Sequence, residues 1–130
     1  MEQISIYLSA GILGIMLFFS FVIAPIIFKS LDEKNARVFI RNIFPYYYSV
    51  NLGLCFIAII NYIYLGLIDL EFYLILIVGI LFAISNFILM PLINKFRDTN
   101  QDNKFKYSHA LSVIINLIQI VILIFLLIRN

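Results

Sequence analysis

The residues of this chain best placed to do chemistry lie in one short run, His109, Ser112 and Asn116. Spaced i, i+3 and i+7, they share one face of any helix built there, and Gln119 continues that face. An imidazole, a hydroxyl and a carboxamide side by side can exchange hydrogen bonds with one another or with a ligand. They fall short of a catalytic set, because no carboxylate lies inside the surrounding apolar stretch and no Ser–His–Asp or HExxH arrangement occurs. His109 is the sole histidine, and a metal or haem needs more ligands than it supplies. Cys55, Met16 and Met90 are soft donors without a recognisable ligand spacing. No enzymatic activity, metal or cofactor is therefore expected.

What must position these residues is a very apolar chain. Of its 130 residues, 64% are hydrophobic and 12% are charged, more apolar surface than a soluble domain of this length can hide. The net charge of +2 gives no reason to expect a nucleic-acid partner. Four stretches lack Asp, Glu, Lys and Arg altogether: Gln3 to Phe28, Asn42 to Ile68, Phe72 to Asn94, and Tyr107 to Ile128. About 20 residues cross a hydrocarbon core as a helix, and each stretch is longer than that. Isolated apolar segments cannot close a barrel, so helices alone can satisfy the backbone in lipid. The expected fold is all-α, a bundle of four transmembrane helices in one domain over 1–130, with helices at about 4–28, 45–68, 72–94 and 107–128. With Glu2 in place of a basic start and no small-residue cleavage site, the first stretch reads as a retained helix rather than a signal peptide.

Eight of the nine basic residues fall in two loops: Lys29, Lys34, Arg37 and Arg41 in the first, and Lys95, Arg97, Lys104 and Lys106 in the third. The turn between the second and third helices holds Asp69 and Glu71 instead. The positive-inside rule then puts both basic loops in the cytoplasm and both termini opposite, in an expected bacterial inner membrane. Tyr46 to Tyr48 are expected in the interfacial aromatic belt on that side. Ser30-Leu31-Asp32-Glu33 matches a capping box, and the basic, amphipathic run after it suggests a short interfacial helix ending at Pro45. Residues 20–32 also align with residues 86–98, sharing Phe, Pro, Ile, Lys and Asp, as two parallel hairpin repeats or a chance match in a narrow alphabet would.

Polar groups are costly in lipid, so their placement is the best guide to function. Counted from the basic ends of the helices, Ser20, Asn51, Asn86 and Asn116 all fall roughly 10–14 Å deep, one on each helix. They form either an interhelical hydrogen-bond layer or, with His109 and Ser112, a polar pocket open to the cytoplasm. His109 suits an inward contact with Asn51, Asn94 or a ligand, or it is simply hydrated at the interface.

Several local patterns accompany this plan. They are Pro25-x-x-Phe28-x-x-Leu31, Phe44-Pro45-Tyr46-Tyr47, Pro91, Arg97-Asp98 and Phe105-x-x-x-His109-x-x-Ser112-x-x-x-Asn116. Together they resemble the family called domain of unknown function 4149, related to transmembrane protein 205. The resemblance implies a four-helix membrane protein without an established activity. It is also similar in plan to CopD-like copper-resistance and haem-pathway membrane proteins, but those rely on further histidines that this chain lacks. Three functional classes remain open: a non-catalytic membrane component, a small-molecule or ion transporter or channel subunit, and a cofactor- or metal-binding redox protein. The expected partners are membrane lipids at the basic loops, and a second copy or another membrane protein.

Overall fold

The computed structural model describes residues 2–129, and every regular element among them is helical. Four helices, Gln3–Ser30, Glu33–Tyr64, Leu70–Asp98 and Asp102–Arg129, are long and apolar enough to cross a membrane. The first packs on the second, the second on the third, the third on the fourth, and the fourth returns to the first. Short connections between neighbours make this an up-and-down bundle. Only 22–33% of the most apolar window of each helix is buried. Phe21, Phe56, Phe87 and Phe125 point outward at 51–67% exposure, as do many isoleucines. A surface of that kind is at home against acyl chains, so the composition and the exterior are both those of a membrane protein.

The first connection departs from the sequence expectation. The basic amphipathic segment is helical, but it does not stop at Pro45. Residues 33–64 form one helix with Pro45 inside it. Proline removes one backbone bond and crowds the carbonyl four residues back. Packing on both sides of Pro45 overrides that cost. Ala36 is buried before it, Tyr47 and Tyr48 after it, and the Phe44 and Tyr48 rings stack across it at 5.7 Å. Nor does Ser30 cap this helix. Asp32 does, its carboxylate accepting from the Asn35 amide at 3.1 Å, while Ser30 ends the first helix. Glu33 is thereby free to pair with Arg37 one turn on.

The second and third helices end in matching Schellman turns. Gly66 donates to Ile63 O at 3.0 Å and Leu67 to Tyr62 O at 2.9 Å. Asn100 donates to Arg97 O at 3.3 Å and Gln101 to Phe96 O at 2.9 Å. Each turn needs a left-handed residue, supplied by Gly66 at φ 71° and Asn100 at φ 56°.

The first and third helices share a further irregularity. Each contains one π-turn, Phe19–Ile23 and Ser85–Leu89. In each, the amide after the turn bonds five residues back, Ala24 to Phe19 and Met90 to Ser85. A proline comes directly after, Pro25 or Pro91. Its ring would press on the carbonyl four residues back, and the wider turn relieves that contact. The two π-turns stand at the same offset that aligns Ser20 with Asn86. The repeated sequence therefore carries a repeated backbone deviation, which supports the reading of two parallel hairpins.

The core lies between the π-turns and the end of the bundle away from the basic loops, and Ile12, Met16, Cys55, Ile75, Phe82, Leu123 and Leu126 are fully buried. Gly79 lets the third helix approach Cys55, where an added Cβ would stand 3.4 Å from the Cys55 Cβ. Polar side chains pin the helices in pairs. Ser5 donates to Asn61 Oδ1 at 2.8 Å, and the Gln119 amide donates to Val78 O at 3.0 Å.

Candidate functional site

At the basic end the four helices do not close on one another. They enclose a cavity of about 510 Å³. Its floor is a hydrogen-bonded chain across three helices. Asn116 Nδ2 donates to Ser20 Oγ at 3.1 Å, and the Tyr47 hydroxyl donates to Asn116 Oδ1 at 3.0 Å. The π-turn in the first helix carries Ser20, and the fourth helix carries Asn116. Tyr47 reaches across the bundle from the second helix because its ring is held among aromatics, stacked on Phe19 at 4.3 Å and set edge-on to Tyr48 at 5.2 Å. Such ring contacts are worth about 0.5–1.5 kcal/mol each beyond burial, enough to fix the hydroxyl's position.

The mouth of the cavity is basic. Arg37, Arg41 and Arg97 line it, together with His109 and Asn94, and no carboxylate does. Two acids stand just outside. Arg41 makes a two-pronged pair with Asp98 and also reaches the Asn94 carbonyl at 3.5 Å. Glu33 pairs with Arg37 and lies 3.9 Å from Arg97. Asp98 lies a full turn beyond the uncharged stretch that ends at Asn94, and its hydrogen bond from Arg41 holds the carboxyl below the usual carboxylate range. Arg97 also lies over the Phe105 ring at 4.4 Å, and Phe105 stacks on His109 at 5.8 Å with nearly parallel rings.

The residues singled out from sequence meet different fates. Ser20 and Asn116 are joined directly. Ser112 lines the same cavity, its hydroxyl turned back to the His109 carbonyl at 2.6 Å. His109 lines the mouth and is exposed, and its ring stacks on Phe105 instead of bonding Asn51 or Asn94. Asn51 is fully buried outside the cavity lining, with neither amide atom hydrogen-bonded. Asn86 is half-buried, also off the cavity, and its side chain makes no hydrogen bond among the described residues. Sequence reasoning missed Tyr47 and Tyr48, which are not in an interfacial belt but 6% exposed inside the bundle. The spacing held the clue: Tyr47 stands one turn before Asn51, on the same helix face. The arginines at the mouth were legible as loop charges but not as cavity residues.

The floor offers hydroxyl and amide groups that can donate and accept hydrogen bonds. The hydroxyls and amides at the floor have no adjacent base, and among the described residues no three His, Cys, Asp or Glu side chains stand together as a metal site.

The family model described as Domain of unknown function (DUF4149) matches residues 8–102. The chain belongs to that family. The match takes in Ser20, Tyr47 and all three mouth arginines, and stops before His109, Ser112 and Asn116. An uncharacterized protein of Aquifex aeolicus (strain VF5) is 31% identical over 123 residues, covering 89% of this chain and 86% of the relative. No solved structure matches the chain.

Proposed function

We propose that this protein is a non-catalytic component of a bacterial inner membrane that holds a small ligand in the cavity at its basic end. In this reading the helix ends bearing Arg37, Arg41 and Arg97 lie in the cytoplasm and the chain ends lie opposite, as the distribution of Lys and Arg supports. The observation that carries the proposal is the cavity itself. Polar side chains in a membrane bundle ordinarily close on one another, and here Ser20, Tyr47 and Asn116 do so only as the floor of an open space of ligand size.

The test is to identify what accompanies the purified protein by native mass spectrometry, and to compare it with an Ala24→Phe variant. Ala24 lines the cavity wall, and a phenylalanine there fills it without touching a charge. A bound molecule that disappears from the variant supports the ligand cavity. Identical spectra for the two proteins return the polar residues to a purely structural role. A Soret band or stoichiometric metal would instead favour the redox class.

A further inference from the structure

Three features of the cavity wall select its occupant. The first is the direction of its open side. Phe21 and Phe28 from the first helix and Val113 and Leu117 from the fourth all line the cavity while remaining 45–64% exposed. Before its π-turn the first helix packs on both the second and the fourth, whereas after it Ala24–Ser30 keeps a lesser contact with the second and draws away from the fourth. The gap left between the first and fourth helices is rimmed by apolar side chains, so it opens sideways into acyl chains and not only upward into water.

The second feature is charge of one sign at one end. Three guanidiniums stand at the mouth, and the nearby carboxylates lie outside the lining. On the outer side of the arginines stand Asp32, Glu33 and Asp98 together with Lys34, so four cations face three carboxylates, and the one carboxylate near Arg97 is Glu33 at 3.9 Å. Guanidinium forks match phosphate oxygens in geometry and charge. The third feature is the apolar stretch between mouth and floor, lined by Ile27, Ile40, Met90 and Ile93. A ligand that satisfies all three is anionic at one end, apolar behind it, and supplied from the bilayer.

We propose that one acyl chain of an anionic phospholipid enters between the first and fourth helices, with its phosphate held by Arg37, Arg41 and Arg97. A volume of about 510 Å³ accommodates one small-ligand-sized group, so the remainder of the lipid stays in the bilayer. Asp98 and Glu33 hold two of the guanidiniums in place for the headgroup. This assignment rests on the cavity being a ligand site, and the test separates the two.

The full chain is reconstituted in nanodiscs of equal parts phosphatidylglycerol and phosphatidylcholine, extracted into neutral detergent, and the retained lipid is measured by native mass spectrometry. Phosphatidylglycerol should be retained in preference, and the Arg37→Gln/Arg97→Gln double variant should hold it about tenfold more weakly, as expected on losing a charged hydrogen-bond pair. Val113→Phe, at an exposed position where folding is readily preserved, should also lower retention by narrowing the entrance. Equal retention of the two lipids, or a preference that survives loss of both arginines, overturns the anionic lipid and leaves a cavity for another ligand. Displacement by inorganic phosphate alone assigns a soluble anion and overturns the acyl chain. Unchanged retention in Val113→Phe moves the lipid to the outer surface and overturns the lateral entry. The ligand cavity fails separately, if Ala24→Phe removes nothing.

Discussion

Two asparagines at similar depth have opposite surroundings, and their substitution should have opposite effects. Asn116 accepts from Tyr47 and donates to Ser20, while Asn51, one turn from Tyr47, is fully buried with both amide atoms unpaired. Asn116→Leu removes two interhelical bonds of the kind worth ~0.6–2 kcal/mol, so it should lower stability by about 1 kcal/mol or somewhat more. Asn51→Leu keeps the branched shape of the side chain and removes a buried unsatisfied amide, whose desolvation costs ~1–3 kcal/mol, so it should leave stability unchanged or raise it. Reversible unfolding in mixed detergent micelles measures both, and a destabilised Asn51→Leu would show that the amide has a partner after all. The contrast also shows where sequence reading of the site stopped. Counting residues from the helix ends fixes depth, and it put Ser20 and Asn116 together correctly. Depth does not fix the direction of a side chain around the helix, so the same count grouped Asn51 and Asn86 with them and left Tyr47 out.

At the level of elements, the helices were legible because absence of charge over more than 20 residues has one physical outcome in lipid. Their joints were less so. Ser30 and Asp32 both suit an N-cap, and backbone geometry, not composition, chose Asp32. Pro45 looked like a terminus because proline is a local signal, while the aromatic packing that carries the helix through it is long-range. Asn100 is the joint most open to test. Its backbone is left-handed at φ 56°, a conformation that burdens a Cβ, and asparagine tolerates it better than most residues. Asn100→Ala should cost about 1 kcal/mol, and Asn100→Gly should cost nothing or stabilise slightly. Equal stabilities for the two would mean that the turn between the third and fourth helices relaxes freely.

For the molecule as a whole, the proposed orientation is the claim with most at stake, since it decides which compartment the arginine-lined mouth serves. Cys55 is fully buried, so single cysteines elsewhere report cleanly in a Cys55→Ser background. Placed at Asn35 and Asn103, both exposed beside the basic loops, they should be shielded from a membrane-impermeant thiol reagent in intact cells. Asn103, in the first turn of the fourth helix, is a better site than Asn100, because a cysteine at Asn100 would strain the turn. Cysteines at Gln3 and Ile68 should label, and the reverse pattern would invert the protein. A different consequence lies in the π-turns. Each holds one residue more than a regular helix needs at that point, so each marks a place where the chain can be shortened without rotating the rest of its helix. Deleting Val22 together with Pro25→Ala should leave the residues beyond it facing the same neighbours. Deleting Leu13, within the regular part of the same helix, should rotate everything after it by about 100° relative to the turns before it. The first and third helices therefore each have a built-in site of indel tolerance, beside the cavity floor in the first.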